Sequence, residues 1–308
     1  MGDRGVLPDG EGMRNPKVLI TGGSGFIGGH LVRKFSDHPG DVTVFDQVEP
    51  RSPLPAGVRF VKGDIFNPAD VERAVRDCDV VVHLVGLADS GVAQRDPLKS
   101  FRLNVVSLLN VLEVCRTAGE KKVVFPSSAA VYGTTDDLPI RESIRPSPTN
   151  TYSWHKLLCE QLIQAYQKNY AIPYVILRLF NVYGRGNEGV IGIFLEKARK
   201  GEEIESFGPF QYRDFIYGGD VAEAVHRAVV YDKAVNRTIN IGSGKGVQIR
   251  EILEMVCEIY PKARWKETRA SFTMYDSIAD ITLARILLDF QPHDSQDFLK
   301  KVICEEMM

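Results

Sequence analysis

The fold is decided by residues Val18–Gly28, VLITGGSGFIG. An apolar strand runs straight into three glycines, and the glycines open a helix. They are Gly22, Gly25 and Gly28, spaced G-x-x-G-x-x-G. The first permits a tight turn, the second lets the backbone approach a pyrophosphate, and the third lets helix and strand pack closely. The stretch therefore predicts a dinucleotide-binding turn, with the phosphates at the helix N-terminus.

An acidic residue stands where such a turn requires one. Asp46 ends the second predicted strand, 18 residues after Gly28. A carboxylate there can bind both hydroxyls of the adenosine ribose, and it would repel the 2′-phosphate of NADP. We therefore predict NAD as the cofactor. Asp64 follows the third predicted strand, where it either reaches the adenine or simply forms a turn.

Short apolar runs alternate with helical patterns through the first half of the chain. The predicted strands are Lys17–Thr21, Val42–Phe45, Arg59–Lys62, Val80–Leu84, Lys122–Pro126 and Tyr174–Leu179. The predicted helices are Phe26–Ser36, Ala69–Arg76, Leu98–Ala118 and Tyr152–Lys168. Strands that are apolar throughout and separated by helices favour an α/β fold with a doubly wound parallel sheet, the Rossmann fold.

The pattern loosens after Phe180. The later segments are a loop over Asn181–Gly192, a helix to Lys200, a strand near Ile204, a helix over Gly218–Tyr231, a strand over Thr238–Ile241, a helix over Gln248–Ile259, an irregular polar stretch over Lys262–Asp276 and two short helices. We expect a disordered lead over residues 1–15, an NAD-binding domain over 16–180 and mainly a smaller substrate-binding lobe over 181–308. Some segments of the lobe are expected to return to the first domain.

Composition excludes several classes of partner. Lys and Arg total 38 against 40 Asp and Glu, which gives a net charge of −2. Such a charge does not favour binding to the phosphate backbone of nucleic acid. No apolar run approaches the roughly 20 residues that span a bilayer. The five cysteines are scattered, and neither they nor the histidines have metal-ligand spacing, so we expect free thiols, no metal and a cytoplasmic protein.

A tyrosine and a lysine stand four residues apart, at Tyr152 and Lys156, on one face of a predicted helix. Upstream, Ser128 follows the strand Lys122–Pro126, at the sheet edge where ligands bind. The order of glycine triplet, Ser128 and Tyr152-x-x-x-Lys156 resembles the extended short-chain dehydrogenases/reductases. More closely, it resembles their NAD-dependent nucleotide-sugar epimerase/dehydratase family, near the UDP-glucose and UDP-N-acetylglucosamine 4-epimerases.

Further motifs carry this resemblance from about Lys17 to the C-terminal helices: His83–Leu87, Asn104, Ser127–Gly133, Arg178–Gly184 and Arg213–Tyr217. It implies that NAD lies against residues that mostly follow the strands: Gly22, Gly25, Phe26, Ile27, Gly28, Asp46, Asp64, Ile65, Leu84, Val85, Gly86, Asn104, Tyr152 and Lys156. His83 closes the fourth strand and is interpreted as structural.

The resemblance also assigns the chemistry to Ser128, Tyr152 and Lys156. Oxidising a sugar alcohol removes a hydride from carbon and a proton from oxygen. An isolated tyrosine, with a pKa of about 10, is too weakly acidic to be a base at neutral pH, but a lysine ammonium and a positive nicotinamide stabilise the phenolate. Ser128 would orient the sugar oxygen for Tyr152.

The implied substrate is a nucleotide-diphosphate sugar, with UDP-sugars favoured. By resemblance, Asn181 and Arg213 contact the diphosphate and its ribose, and the planar fork of arginine suits phosphate. Arg269 lies near a second phosphate arginine of the family, although alignment places Ala270 there. Ser277, counted back from Ala279-Asp280, falls where family 4-epimerases face carbon 2 of the hexose. Either residue could instead be an ordinary surface or turn residue.

The residues after Ser128 favour a 4-epimerase. Family dehydratases carry an acidic residue there, whereas this chain has Ala129 and Ala130, which cannot move protons. A 4,6-dehydratase or a reductase is the alternative. A non-catalytic NAD-sensing or RNA-binding relative ranks last, because the tyrosine–lysine pair is present and the charge is slightly negative.

A homodimer is also expected. The predicted helix Leu98–Ala118 is apolar almost all round, and one sheet face cannot cover that circumference. With Tyr152–Lys168 it could pack on a second copy as a four-helix bundle. The alternative is that both helices are buried within the subunit.

Overall fold

A computed structural model of the chain describes residues 15–37, 41–119, 121–186, 189–268, 275–294 and 296–305. Seven parallel strands form the central sheet, in the order β10-β6-β5-β4-β1-β2-β3. They are β1 (Val18–Thr21), β2 (Val42–Asp46), β3 (Val58–Lys62), β4 (Val80–His83), β5 (Lys122–Ser128), β6 (Tyr174–Leu179) and β10 (Arg237–Ile241). The order reverses between β1 and β4, and ligands of such sheets bind beyond the strand ends at this reversal. The predicted doubly wound α/β fold is confirmed.

Helices cover both faces of this sheet because alternate strand residues point to opposite sides. One face packs on α1 (Phe26–Lys34), α8 (Gly218–Val230) and α10 (Thr282–Leu288). The other packs on α2 (Pro68–Val75), α5 (Ser107–Thr117) and α6 (Thr151–Tyr170). In β1, for example, Ile20 belongs to the first core and Leu19 to the second.

Between β4 and β5 the chain makes a short helix, α3 (Ser90–Arg95), and then, after Asp96, one long helical run. This run consists of α4 (Pro97–Phe101), a π-helical stretch Arg102–Val106 and α5. The predicted helix Leu98–Ala118 thus corresponds to α4, the π-helical stretch and α5. Pro97 begins α4, where its missing N–H costs no hydrogen bond, and the side chain of Asp96 caps it.

The remaining elements form a smaller lobe with its own core. Its strands are β7 (Asn181–Tyr183), β8 (Ile204–Ser206), β9 (Tyr212–Tyr217), β11 (Gly246–Gln248) and β12 (Trp265–Glu267). Its helices are α7 (Val190–Lys200), α9 (Ile249–Ile259) and α11 (Gln296–Glu305), which bury apolar side chains together. β9 lies between β7 and β11, and β8 pairs with β12.

Two sequence interpretations of the lobe are wrong. The predicted loop Asn181–Gly192 begins with β7, which pairs in parallel with β9, and α7 already begins at Val190. The stretch Lys262–Asp276, expected to be irregular, contains β12, which pairs with β8. Both strands are only three residues long, which is too short to show the alternation of apolar and polar residues that identifies a strand in a sequence.

No described helix has the length and apolar character needed to span a bilayer. All five cysteines are free thiols, as their spacing predicted.

Candidate functional site

The glycine turn after β1 lets neighbouring backbone segments lie closer than a Cβ atom would allow. Gly22 has a φ of +72°, and a Cβ atom there would lie 2.7 Å from the backbone nitrogen of Val85. A Cβ at Gly28 would lie 2.3 Å from the carbonyl oxygen of Gly23, so the first turn of α1 packs directly on the loop. Gly25 precedes α1 without a side-chain cap, which leaves the helix N-terminus open to an anion.

Asp46 is held against this turn. Its carboxylate accepts hydrogen bonds from the backbone nitrogens of Ser24, at 3.1 Å, and Val48, at 3.2 Å. The acid therefore stands at the end of β2 beside the glycine loop. The cradle at Gly22 and the acid beside it fit the diphosphate and ribose of NAD.

Asp64 has the geometry of a turn residue. Its Oδ1 accepts from the backbone nitrogen of Phe66, at 2.9 Å, and from Nε2 of Gln47, at 2.7 Å. The neighbouring Ile65 is buried, and its carbonyl oxygen accepts from Asn110 at 2.9 Å. These bonds fix the turn after β3 next to the end of β2.

The loop after β4, Leu84–Gly86, packs against the side chain of Asn104. A Cβ at Gly86 would lie 2.6 Å from Oδ1 of Asn104. The same oxygen accepts from the backbone nitrogen of Leu87 at 3.1 Å, and the Asn104 amide donates to the carbonyl of Ser100 at 3.1 Å. Asn104 is 2% exposed and belongs to the π-helical stretch. It therefore joins that helix to a loop that the sequence assigned to the cofactor.

Lys156 lies beneath the end of β5. Its Nζ donates to the carbonyl oxygen of Pro126 at 2.9 Å and stands 4.6 Å from the centroid of the Phe125 ring. Ser128 ends the same strand, and its hydroxyl accepts from the backbone nitrogen of Ala130 at 3.2 Å. Tyr152 lies in the first turn of α6, one helical turn before Lys156. The carboxyl end of β5 and the start of α6 thus carry all three predicted catalytic residues.

A reciprocal cap fixes the start of α6. The Asn150 side chain accepts from the backbone nitrogen of Ser153 at 2.9 Å, and the Ser153 hydroxyl is 3.1 Å from the backbone nitrogen of Asn150. Such a capping box satisfies backbone donors that the first helical turn leaves free. It holds Tyr152, which lies between the two capping residues, in a defined first turn.

His83 is part of the scaffold. Its ring nitrogens lie 2.8 Å from the Thr21 hydroxyl and 3.2 Å from the Ser107 hydroxyl, which link β1, β4 and α5. Burial, with a smaller contribution from the charge of Lys156, lowers the pKa of His83 to about 3. The imidazole is therefore neutral near pH 7, in agreement with its structural interpretation.

A cavity of about 110 Å³ opens beside Ser128. It is lined by Ser128, Ala129, Ala130, Leu179, Phe180, Asn181, Arg213, Tyr275 and Ser277. Four residues that the sequence assigned to the substrate therefore share one cavity. Arg269 lies outside the described residues. A larger open depression, of about 400 Å³ around Arg285 and Asp289, contains none of the predicted site residues.

Arg213 is the cation of this cavity. Its Nη1 donates to the carbonyl oxygens of Tyr212, at 3.0 Å, and of Tyr275. Burial lowers the pKa of Arg213, and the charges of Tyr275 and Asp276 oppose that shift. Asn181 stands nearby in β7 and donates to the carbonyl of Asp214 at 3.2 Å.

Sequence reasoning missed Asp214, which organises the wall of the cavity. Its buried carboxylate accepts from both the backbone and the hydroxyl of Ser243, at 2.6 and 2.7 Å, and from the backbone of Gly244 and Ala279, at 2.9 and 3.1 Å. Burial raises its pKa, and these hydrogen bonds oppose that rise. Asp214 thus ties the Ser277–Ala279 segment to β9. The only sequence signal is its place in the Arg213–Tyr217 motif.

Sequence reasoning also missed a buried ion pair under α6. Glu160 accepts from Arg178 at 3.1 and 2.7 Å and from the Ser127 hydroxyl at 2.5 Å. The two charged side chains are only 2% and 6% exposed. Burial disfavours the charged arginine, but the hydrogen bonds and charge of Glu160 hold the pKa of Arg178 above its usual value. The pair fixes α6 to the ends of β5 and β6.

Comparison with known proteins gives one family model, NAD dependent epimerase/dehydratase family, which matches residues 18–242. A putative UDP-glucose 4-epimerase of Methanocaldococcus jannaschii is 34% identical over 250 residues, 78% of this chain and 81% of that protein.

Two solved structures extend the likeness over nearly the whole chain. One is a UDP-N-acetylglucosamine 4-epimerase from Methanobrevibacter ruminantium with UDP-N-acetylmuramic acid; its TM-score is 0.86 at 29% identity, with 96% of this chain and 98% of that one covered. The other is Thermus thermophilus UDP-glucose 4-epimerase with NAD; its TM-score is 0.83 at 30% identity, with 93% and 97% covered.

Proposed function

The chain belongs to the NAD-dependent epimerase/dehydratase family, and from that membership we propose that it is a UDP-hexose 4-epimerase working through a transient 4-keto sugar. The observation that carries this proposal is the cavity. It is lined by Ser128, the last residue of β5, and by alanines at the positions where dehydratases of the family carry acids.

NAD is the cofactor of this family, and the cradle after β1 suits it. We assign the diphosphate to the backbone of Gly22–Gly28 and the adenosine ribose to Asp46. We propose that Asp64, Ile65 and the Leu84–Gly86 loop also contact NAD. When bound, NAD supplies the acceptor and later the donor of a hydride at carbon 4 of the sugar.

The residues of the chain handle the proton and the orientation of the sugar. The Ser128 hydroxyl donates to the oxygen on carbon 4 and fixes its direction. The Tyr152 side chain takes the proton of that hydroxyl and returns one after the keto sugar has turned over in the cavity. Lys156 lies one helical turn after Tyr152 in α6, so its ammonium places a positive charge on the same side of the helix. A hydride returned to the opposite face of the turned sugar would invert carbon 4.

Ala129 and Ala130 favour epimerisation over dehydration. Elimination of water across carbons 5 and 6 needs side chains that move protons, and both cavity-lining residues after Ser128 carry only a methyl group. We therefore propose that the 4-keto sugar is reduced back to an alcohol and is not dehydrated.

The direct test is interconversion of UDP-glucose and UDP-galactose by the purified protein without added reductant. We expect either sugar to give the same equilibrium mixture, because the cofactor is regenerated in each cycle. Nuclear magnetic resonance of the sugar would detect both epimers. Accumulation of a 4-keto-6-deoxy sugar would instead identify a dehydratase, and a requirement for stoichiometric reductant would identify a reductase.

Ser277 is proposed to set the size of the group accepted on carbon 2. Its side chain lines the cavity, and its backbone is fixed by bonds of 3.0 Å to Tyr212 and 2.8 Å to Asp214. A small residue there leaves room for an N-acetyl group. One of the similar structures is, by its name, a UDP-N-acetylglucosamine 4-epimerase. The protein is thus proposed to accept UDP-N-acetylglucosamine as well as UDP-glucose.

Replacing Ser277 with tyrosine is expected to lower kcat/KM for the N-acetylated pair about tenfold or more relative to the glucose pair, by steric exclusion. The measurement is a competition between the two epimer pairs. Ser277→Ala is the matched control, which removes the hydroxyl without adding bulk and should keep both activities. An equal fall for both pairs in Ser277→Tyr would show that Ser277 does not select.

The protein is also proposed to form a homodimer through α4 and α6. The side chains of Leu98, Phe101, Trp154 and Leu158 are 69%, 38%, 53% and 37% exposed, and they project from these two adjacent helices. Within α5, by contrast, Leu108, Val111 and Leu112 are fully buried in the subunit. An exposed apolar surface on two neighbouring helices fits a second copy related by twofold symmetry.

Light scattering is expected to give the wild type a mass of about twice 34.4 kDa at micromolar concentration. Trp154→Glu should give the monomer mass, because it places a charge in the apolar contact. Ile286→Glu is the control: Ile286 is 64% exposed on α10, on the opposite face of the sheet, and its replacement should leave the dimer intact. A wild-type monomer would contradict the assignment.

A further inference from the structure

Tyr275 forms part of the cavity wall, although no sequence motif singled it out. It lies two residues before Ser277 and faces the same space as Ser128 and Asn181. Its ring centroid is 5.2 Å from the Cζ atom of Arg213, and its carbonyl oxygen accepts from Nη1 of that arginine. One residue therefore contacts Arg213 with both its ring and its backbone.

The guanidinium of Arg213 is engaged on one side only. Nη1 donates to two carbonyl oxygens, those of Tyr212 and Tyr275. Among the described residues, neither Nε nor Nη2 of Arg213 has a hydrogen-bond partner, and no carboxylate lies within ion-pair distance. Asp276, whose charge acts on Arg213, has its Oδ1 engaged by the backbone nitrogen of Tyr212 at 2.9 Å. Three N–H groups of this half-buried guanidinium are therefore left without a partner among the described residues.

We propose that Tyr275 is a positioning residue: its ring and carbonyl hold the Arg213 guanidinium so that the unused N–H groups face the diphosphate of the substrate. This inference rests on the proposed function, which supplies the diphosphate. It assigns to Tyr275 a role in affinity and none in the chemical step.

Two physical effects make this contact effective. A cation over an aromatic face is attracted by the ring, more strongly where water is excluded. A planar guanidinium has a rigid fork of donors, so fixing its plane fixes the direction of every remaining N–H. An arginine held in this way loses little side-chain entropy when the phosphate arrives.

The test is UDP binding to the NAD-loaded protein, measured by calorimetry. Tyr275→Leu keeps an apolar side chain and the backbone carbonyl but removes the ring face, and we expect UDP affinity to fall about tenfold. Tyr275→Phe keeps the face and should bind within about twofold of the wild type. In turnover, Tyr275→Leu should raise KM by a similar factor and leave kcat unchanged.

A double-mutant cycle separates positioning from direct contact. In an Arg213→Ala background, Tyr275→Leu should have no further effect on UDP affinity, because the group it positions is gone. An equal loss in both backgrounds would overturn the inference, since Tyr275 would then touch the ligand itself or merely shape the cavity. Loss of binding in Tyr275→Phe would overturn it too, since the hydroxyl would be the active group.

The outcome for Tyr275 is distinct from the outcome for the proposed function. Epimerisation by the wild type at saturating substrate reports on the reaction, whichever residues hold the diphosphate. A wild type that epimerises while Tyr275→Leu binds UDP normally would overturn only the inference about Tyr275. A wild type that binds UDP through the Tyr275–Arg213 pair but leaves carbon 4 unchanged would overturn only the reaction.

Discussion

Tyr152→Phe is expected to lower kcat by about 10²–10⁴-fold, because it removes the oxygen that we propose takes and returns the proton of the sugar hydroxyl. The phenyl ring keeps the volume of the side chain, and the Asn150–Ser153 cap that holds the first turn of α6 is untouched. NAD content and thermal stability should therefore stay at wild-type values. The measurement is single-turnover interconversion of UDP-glucose and UDP-galactose.

Tyr166→Phe provides a matched control on the same helix. Tyr166 lies 14 residues further along α6, about 21 Å at 1.5 Å per residue, and its hydroxyl donates to Glu113. The same atom is removed there, far from the cavity, so turnover should be unchanged. Near-normal turnover in Tyr152→Phe would rule out the mechanism proposed for this site.

Glu160→Gln is expected to lower the free energy of unfolding by about 3–5 kcal/mol, because it leaves a buried guanidinium without its counter-charge. Glutamine keeps the size of the side chain, but it offers one oxygen where the carboxylate accepts two bonds from Arg178 and one from Ser127. Its amide also turns N–H groups toward the N–H groups of the arginine. Urea unfolding at a fixed NAD concentration measures the change.

Two controls separate a buried unpaired charge from a general sensitivity to substitution. Glu254→Gln breaks the Arg250–Glu254 pair, whose side chains are each 51% exposed, and should cost no more than about 0.5 kcal/mol. The double variant Glu160→Met, Arg178→Met removes both buried charges and should unfold less readily than Glu160→Gln. A loss in Glu160→Gln no larger than in Glu254→Gln would contradict the account.

The features predicted well from sequence are those that depend on residues close together in the chain. The glycine turn needs its residues at fixed spacing, so Gly22, Gly25 and Gly28 were visible in one short stretch. Tyr152 and Lys156 share a helical face because they stand four residues apart. The inner strands of the central sheet, such as β1, β4 and β6, were found because they are buried on both sides and are mostly continuous apolar runs.

The parts that were missed depend on partners distant in the chain. Glu160 looks like an ordinary helical acid until Arg178 is brought beneath it from β6. Asp214 accepts its hydrogen bonds only when the loop after β10 and the segment before α10 fold onto it. Tyr275 meets Arg213 across 62 residues. No periodicity or spacing reports such contacts, because each is set by the packing of different helices, strands and loops against one another.

The late arrival of β10 has a consequence for how the chain folds during synthesis. β6, whose six residues are all buried, remains an open sheet edge until β10 emerges from the ribosome. The chain from Leu179 to Ile241 takes roughly 3–12 s to make at about 5–20 residues per second. For that time an apolar strand edge can pair with a neighbouring chain. We expect nascent chains truncated before Arg237 to bind chaperones, and those that extend well past Ile241 to be released.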